Sequence, residues 1–346
     1  MSNLKFSSSY KAIEVGLLDG TTIARSIYKQ SKASELVDNL LQMFNVVEKD
    51  YFGLYYMSDK QRKWLELKKK IWPQIRHLDP PYEICFGMQF YPQNPVLLQE
   101  EITRYLMFLQ LRKDVIEDRL VITDKDRSEL CAFILQAEGA VSNSESYLTK
   151  HRSFFVHLEN SSPEFEARIL EILYNLSGMD GLLAEVRLID SAFQVAQYDI
   201  EPYPVRSEAF PSLKQLGLVL APLGVTIYQG TTRLEVFKWT EIWNAGYDAK
   251  VFWLRIFRDG ENSRQKYVLP NSRLCKVVWK SFKHHFKFYI RDHSIPPKVA
   301  WGRVAPTVNR GNLIEEKLQQ GQVRSYINHA TSMQMGEQKF VPTTEL

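Results

Sequence analysis

The sequence predicts an α+β chain of three domains, in the order mixed roll, helical bundle and antiparallel sandwich. Three observations support this. A length of 346 residues exceeds what one compact core usually holds, the hydrophobic periodicity changes twice, and the charge changes with it. Residues 91–195 carry 10 Lys/Arg against 17 Asp/Glu, whereas residues 196–292 carry 15 against 9. Because 45% of the residues are hydrophobic and 24% are charged, the chain is expected to fold rather than to be disordered throughout.

Residues 10–92 combine strand and helix signals in the order of a ubiquitin-like roll. An alternating run ends at Val15, and the Asp19-Gly20 dipeptide that follows is typical of a tight hairpin. Leu36, Leu40 and Phe44 then recur at helical spacing, which predicts one helix. Aromatic-rich strands are expected after that helix.

Residues 93–198 change to a helical period and predict a four-helix bundle. Each predicted helix begins at residues that commonly cap or open a helix, namely Asn94-Pro95, Thr123, Ser162-Pro163 and Asp180. Four amphipathic helices with loops between them make a bundle.

Residues 199–292 return to strands and end in one long helix, predicted from Ser272 to Tyr289. A run of strands closed by a C-terminal helix is the outline of a pleckstrin-homology or phosphotyrosine-binding (PH/PTB-like) sandwich. Lysines recur along the predicted helix at intervals of four, three and four, so they should share one exposed face: Lys276, Lys280, Lys283 and Lys287.

The two ends differ in composition from the rest. Residues 1–9 are predicted to be a flexible N-terminus, and residues 293–346, which lack hydrophobic periodicity, a mostly disordered tail. No apolar run is long enough to cross a bilayer or to serve as a signal peptide, so a cytosolic chain is expected. Cys85, Cys131 and Cys275 are widely spaced and are expected to be reduced thiols.

Several strings together resemble the FERM module of the ezrin/radixin/moesin and band-four-one superfamily. The first predicted domain contains Lys49-Asp50-Tyr51-Phe52-Gly53-Leu54-Tyr55-Tyr56, similar to a signature of that family's first lobe. The second contains Leu109-Gln110-Leu111-Arg112-Lys113-Asp114, and the third contains Phe237-Lys238-Trp239-Thr240-Glu241-Ile242. The resemblance covers about residues 10–292. It implies a FERM trefoil of ubiquitin-like roll, acyl-CoA-binding-protein-like four-helix bundle and PH/PTB-like sandwich.

The resemblance also implies two binding surfaces. Related modules hold phosphoinositide headgroups between the first and third lobes, and the basic residues in matching positions are Lys60, Arg62, Lys63, Lys276 and Lys280. Related modules also take a receptor tail as an added strand in a groove of the third lobe. Groove residues are expected to be Trp243, Asn244, Ala245, Tyr247, Leu274, Val278 and Phe282, although Val278 and Phe282 also fit the sandwich core.

These features favour a non-enzymatic membrane–cytoskeleton adaptor, peripheral at the inner plasma membrane and cell cortex. The expected partners are cytoplasmic tails of transmembrane receptors or adhesion proteins, anionic inner-leaflet lipids and cytoskeletal proteins. The alternative is a regulatory scaffold that binds a soluble signalling enzyme, with incidental membrane contact. No phosphate-binding glycine loop, nucleophile with its base, or metal-ligand spacing is present, so no catalytic residue, metal or cofactor is expected. Nucleic acid is not expected, because stacking aromatics do not interleave with the lysines.

Overall fold

A computed structural model describes residues 10–58, 61–139, 154–196, 198 and 202–292. The first lobe is a five-stranded sheet in the order β2-β1-β5-β3-β4. Its strands are β1 (Tyr10–Gly16), β2 (Thr22–Tyr28), β3 (Phe52–Ser58), β4 (Gln61–Trp64) and β5 (Glu83–Met88). The predicted hairpin joins β1 to β2, and Gly20 in its turn has φ +88°, where a side chain would be strained.

Two helices accompany this sheet. Helix α1 (Ala33–Met43) buries Leu36, Leu40 and Leu41, which share one face at the spacing seen in the sequence. Helix α2 (Trp72–Ile75) is a single turn with proline near its start. Because β1 and β5 pair in parallel while both hairpins are antiparallel, the sheet is mixed, as in a ubiquitin-like roll.

The middle lobe is helical: α3 (Glu101–Ile116), α4 (Asp124–Gly139), α5 (Pro163–Asn175) and α6 (Gly181–Ala196). Three predicted caps form, because Thr123, Ser162 and Asp180 accept hydrogen bonds from backbone N–H groups of the first turns they precede. The predicted start at Asn94-Pro95 was wrong for the long helix. Asn94 caps a short 3₁₀ turn, Pro95–Leu97, and α3 begins later, at Glu101.

The third lobe is a seven-stranded antiparallel sheet in the order β10-β11-β12-β6-β7-β8-β9. Its strands are β6 (Tyr203–Ser207), β7 (Leu216–Ala221), β8 (Gly224–Gln229), β9 (Thr232–Lys238), β10 (Ile242–Asp248), β11 (Val251–Arg258) and β12 (Glu261–Val268). Helix α7 (Ser272–Phe286) follows, begun by Asn271, whose side chain accepts from the Leu274 N–H. It continues into a π-helical turn, Lys287–Asp292.

Aromatic side chains connect the lobes. Phe90, which follows β5, stacks on Phe288 of the third lobe with ring centroids 4.2 Å apart. Tyr289 donates a hydrogen bond to the Tyr91 carbonyl oxygen at 2.8 Å. The predicted α+β architecture of roll, helical lobe and PH-like sandwich is confirmed. The predicted flexible N-terminus (1–9) and tail (293–346) lie outside the described residues. Within the described ranges, no helix has both the length and the apolar character needed to cross a bilayer.

An interlobe cation cluster and an edge groove

One helix, α7, contributes to both of the surfaces expected from the sequence. Its apolar face packs into the sandwich through Cys275, Val278 and Phe282. Lysines occupy much of the remaining surface. The flank of α7 that carries Lys280 meets the first lobe, whereas the flank that carries Trp279 and Lys283 lies beside the edge strand β10.

Lys280 is in contact with the first lobe through a carboxylate. Its Nζ lies 2.9 Å from Oε1 of Glu66, and Lys69 Nζ lies 2.8 Å from Oε2 of the same residue. Burial alone would raise the pKa of Glu66, but hydrogen bonds from Lys69 and Lys280 outweigh it and lower that pKa to about 2. One carboxylate therefore holds two lysines from two different lobes.

Two further cations lie on the segments that this ion pair joins, one on β4 of the first lobe and one on helix α7. Lys63 pairs across the β3–β4 ladder with Tyr56 and donates to Gln61 Oε1 at 2.7 Å. Burial raises the pKa of Tyr56, and the positive charge of Arg273, at the start of α7, opposes that rise. Arg273 is thus near enough to act on a first-lobe side chain. We use "interlobe cluster" for the basic residues gathered around this contact: Lys63, Lys69, Arg273, Lys276 and Lys280.

The sequence anticipated only part of the interlobe cluster. Lys276 is exposed one turn before Lys280, as expected. Lys60 lies outside the described residues. Arg273 was missed, although it precedes Lys276 by three residues and extends the same helical stripe. Lys69 was not assigned to the site, because its sequence context, three consecutive lysines, does not distinguish it from Lys68 or Lys70.

Arg62 was wrongly assigned to the phosphoinositide site. Its side chain is 1% exposed and forms an ion pair with Asp114 of α3, which is fully buried. Tyr91 donates to the other oxygen of Asp114 at 2.7 Å, and the Arg62 guanidinium lies over the Tyr55 ring. Arg62 therefore connects the first and middle lobes internally, and no headgroup can reach it.

A groove lies between the edge strand β10 and helix α7, with a volume of about 370 Å³. Its strand side is formed by Ile242, Trp243, Asn244 and Ala245. Its helix side is formed by Trp279, Phe282, Lys283, Phe286 and Lys287. In the described part of the sheet, β10 pairs only with β11, so its other edge can accept a further strand. We call this feature the edge groove.

The expected groove residues have mixed outcomes. Trp243, Asn244, Ala245 and Phe282 line the edge groove, whereas Tyr247 lies just beyond it, with its ring centroid 6.0 Å from that of Trp279. Leu274 and Val278 do not line it.

Val278 is fully buried in the sandwich core, and Leu274 is half-buried against that core. The prediction placed the helix side about one turn too early and with the wrong rotation. As a result it missed Trp279, Lys283, Phe286 and Lys287.

The opposite face of β10 and β11 carries cations and aromatic rings. The Arg255 guanidinium carbon lies 5.3 Å from the centroid of the Trp243 ring, so this side chain of β11 is close to an aromatic ring of the edge strand. The Arg264 guanidinium carbon, on β12, lies 4.5 Å from the centroid of the Trp253 ring, and that of Arg255 lies 6.0 Å from it. Gly246 is required beneath that ring, because a Cβ there would lie 2.4 Å from a Trp253 ring carbon.

No arrangement suited to covalent or metal chemistry was found among the described residues. No group of three or more His, Cys, Asp or Glu side chains lies close enough to hold a metal ion within those ranges. Burial raises the pKa of Cys131 to about 12 and also raises that of Cys275, so neither is a reactive thiolate at neutral pH. The candidate site therefore consists of two surfaces that share one helix.

Comparison with known families agrees with this architecture. Residues 15–77 match the FERM N-terminal domain, residues 93–203 the FERM central domain, and residues 213–297 the FERM C-terminal PH-like domain. The chain belongs to the FERM-domain family.

Individual FERM proteins show the same relationship. Band 4.1-like protein 1 of Rattus norvegicus is 32% identical over 301 residues, which are 85% of this chain and 33% of that protein. The Mus musculus tyrosine-protein phosphatase non-receptor type 4 is 28% identical over 287 residues, 82% of this chain and 31% of that enzyme. The chain therefore spans about a third of the length of these curated relatives.

Among solved structures, the FERM and C-terminal domain complex of Drosophila Merlin superposes with a TM-score of 0.64 at 20% sequence identity. The match covers 81% of this chain and 96% of that one, and it shows the shared fold.

Proposed function

We propose that this FERM protein is a non-enzymatic membrane–cytoskeleton adaptor. In this proposal the interlobe cluster binds a phosphoinositide of the inner plasma membrane, and the edge groove holds the cytoplasmic tail of a transmembrane receptor or adhesion protein. Similarity to band 4.1-like proteins supports a position at the cell cortex with cytoskeletal partners. Neither surface offers a catalytic group, which supports an adaptor rather than an enzyme.

The observation that carries the proposal is the meeting of cations from two lobes at Glu66. Lys69 from the first lobe and Lys280 from the third already share one carboxylate. An anion therefore occupies this position in the folded protein, and the surrounding cations are arranged to hold it. A phosphomonoester carries about −1.5 to −2 charges and three acceptor oxygens, so it is a stronger ligand for such a cluster than a carboxylate.

The magnitude expected for lipid binding follows from the charges. Each lysine near an anionic membrane contributes about 1 kcal/mol. Reversing Lys276 and Lys280 to glutamate removes about 2 kcal/mol of attraction and adds a similar repulsion, which predicts an affinity at least about a hundredfold weaker.

Vesicle co-sedimentation tests this, with phosphatidylcholine vesicles that contain or lack a bisphosphorylated phosphoinositide. Wild type should bind in a lipid-dependent way, and Lys276→Glu/Lys280→Glu should not. Lys125→Glu/Lys250→Glu is a matched control, because it makes the same change in net charge at exposed lysines of the middle lobe and of the β10–β11 turn. Equal binding by all three proteins, or binding that ignores the phosphoinositide, contradicts the proposal.

One observation favours the second candidate, a scaffold for a soluble signalling enzyme. Glu66 already neutralises Lys280, so part of the interlobe cluster is satisfied without any lipid. The scaffold function is correct if the protein binds its protein partner equally well with and without vesicles and does not bind the vesicles themselves. Membrane contact is then incidental.

A further inference from the structure

The edge groove has a charge as well as a shape. Two of its lining residues are lysines, Lys283 and Lys287, and none of those lining residues is acidic. The Lys283 ammonium lies 5.4 Å from the centroid of the Trp279 ring, which places this charge directly beside an apolar wall. A segment bound there meets aromatic surface and positive charge together.

A strand added to β10 would have two different faces. Successive side chains of a strand point to opposite sides of the sheet, so every second residue would face α7 and the others would face away from it. Trp279 and Phe286 offer apolar surface on the α7 side. Arg255, whose guanidinium lies beside the Trp243 ring of the edge strand, is a cation on the other side.

Among the described residues, no acidic side chain forms an ion pair with Arg255. The cross-strand neighbour of Arg255 on β12 is another arginine, Arg264, and like charges in directly opposite positions are destabilising. The Arg255 guanidinium lies beside the Trp243 and Trp253 rings, and a guanidinium held against aromatic rings can still donate its N–H groups to a carboxylate.

We propose that the edge groove selects an extended segment in which apolar residues alternate with acidic ones. The apolar residues face Trp279 and Phe286, and the acidic residues face Arg255. This inference rests on the proposed tail-binding function and adds the chemistry of the tail. Lys283 and Lys287 strengthen the preference for a segment of net negative charge.

Nucleic acid fits this surface less well. The Trp253 ring lies against the Gly246 backbone and is covered by Arg264, so it has no open face for a base. A receptor tail that adds as a strand uses both the alternation of side chains and the backbone groups of β10.

The test is fluorescence anisotropy with three labelled ten-residue peptides. The first alternates apolar residues (Val, Thr, Tyr) with Glu, the second has the same composition in two blocks, and the third has Lys in place of each Glu. The full chain should bind the first at least about tenfold more tightly than either of the others. Equal affinity for the alternating and blocked peptides would overturn the inference.

Two arginine variants test whether Arg255 is the side chain that binds the acidic residues of the peptide. Arg255→Glu should weaken binding of the alternating acidic peptide about tenfold and improve binding of the Lys peptide. Arg206→Glu is the matched control: it changes another exposed arginine by the same charge, but on β6, which lies two strands farther from the edge than β11. The control variant should weaken binding of the alternating acidic peptide less than about threefold. Equal losses of affinity in the two variants would mean that only the net charge of the protein matters, and the inference would be rejected.

The outcomes also separate this inference from the proposed function. If Ala245→Pro abolishes peptide binding but Arg255→Glu does not affect it, the tail binds as a strand and only the alternation is wrong. If no peptide binds wild type, or if binding is unaffected by Ala245→Pro, strand addition itself is wrong and the inference fails with it.

Discussion

Lys280 of the third lobe and Glu66 of the first lobe form an ion pair at 2.9 Å, and Glu66 is also held by Lys69. The carboxylate therefore occupies the position where the proposed headgroup would bind. A phosphoinositide has to displace it, so Glu66 should weaken lipid binding while it helps hold the two lobes together.

Replacing Glu66 by glutamine should raise the affinity for phosphoinositide vesicles. Exposed ion pairs contribute from 0 to 1 kcal/mol each, so removing the two pairs should strengthen binding by about 1 kcal/mol, about fivefold. Co-sedimentation measures this, with Glu83→Gln as a control because Glu83 is an exposed glutamate on β5 of the same lobe. A loss of affinity in Glu66→Gln would mean that Glu66 arranges the lysines for the lipid instead of competing with it.

The ion pair should also be visible in a pH titration. The pKa of Glu66 is lowered to about 2 in the folded protein, from an ordinary value of 4.5. Its contribution to stability is therefore complete above about pH 4.5 and is lost as the pH falls towards 2. Carboxyl ¹³C NMR should show Glu66 still ionised at pH 3.5, and Lys280→Gln should move its pKa upwards. A Glu66 pKa near 4.5 in wild type would mean that Lys69 and Lys280 do not pair with this carboxylate in solution.

The Arg62–Asp114 pair should matter for stability rather than for lipid binding. Asp114→Asn removes the buried carboxylate of this pair and leaves Arg62 with Glu117 at 3.7 Å, which should lower the free energy of unfolding by about 3 kcal/mol, the lower end of the range for a broken buried pair. Urea denaturation measures the loss. Replacing both residues by apolar ones, Arg62→Met/Asp114→Leu, should recover part of it. If Asp114→Asn unfolds like wild type, the pair is not buried in solution.

Proline in the edge strand should disrupt tail binding selectively. Ala245→Pro removes one backbone N–H and restricts φ in β10, so binding of the alternating acidic peptide should fall at least about tenfold. Thermal unfolding of the first two lobes should be unchanged. Trp279→Ala provides an independent check, because it removes part of the helix side of the groove and leaves the β10 backbone unchanged. Retained affinity in both variants would place the peptide on another surface.

Local sequence patterns predicted much of this fold because turns, helix caps and amphipathic helices are determined by residues that are close together in the sequence. The β1–β2 hairpin, three of the four helix caps and the α7 segment each depend on residues within a few positions of one another. The family motifs then supplied the order of the lobes, and these two kinds of information agree on the type and order of the three lobes.

The site was predicted less completely because its contacts are long-range. Arg62 lies in a basic run that is typical of an exposed turn, but its partner, Asp114, lies 52 residues away on another lobe. Glu66 and Lys280 are still farther apart in sequence. The helix side of the edge groove depends on how α7 is rotated against β10, and an amphipathic pattern alone does not distinguish Val278 in the core from Trp279 beside the groove.

The central claim is that α7 serves two ligands on separate flanks. It is tested most directly by measuring phosphoinositide-vesicle binding and alternating-peptide binding for two variants, Lys276→Glu/Lys280→Glu and Trp279→Ala. We predict that the first variant loses the vesicles and keeps the peptide, and that the second loses the peptide and keeps the vesicles. If both ligands are lost together in folded protein, or if neither variant affects either ligand, α7 does not carry two separate binding surfaces.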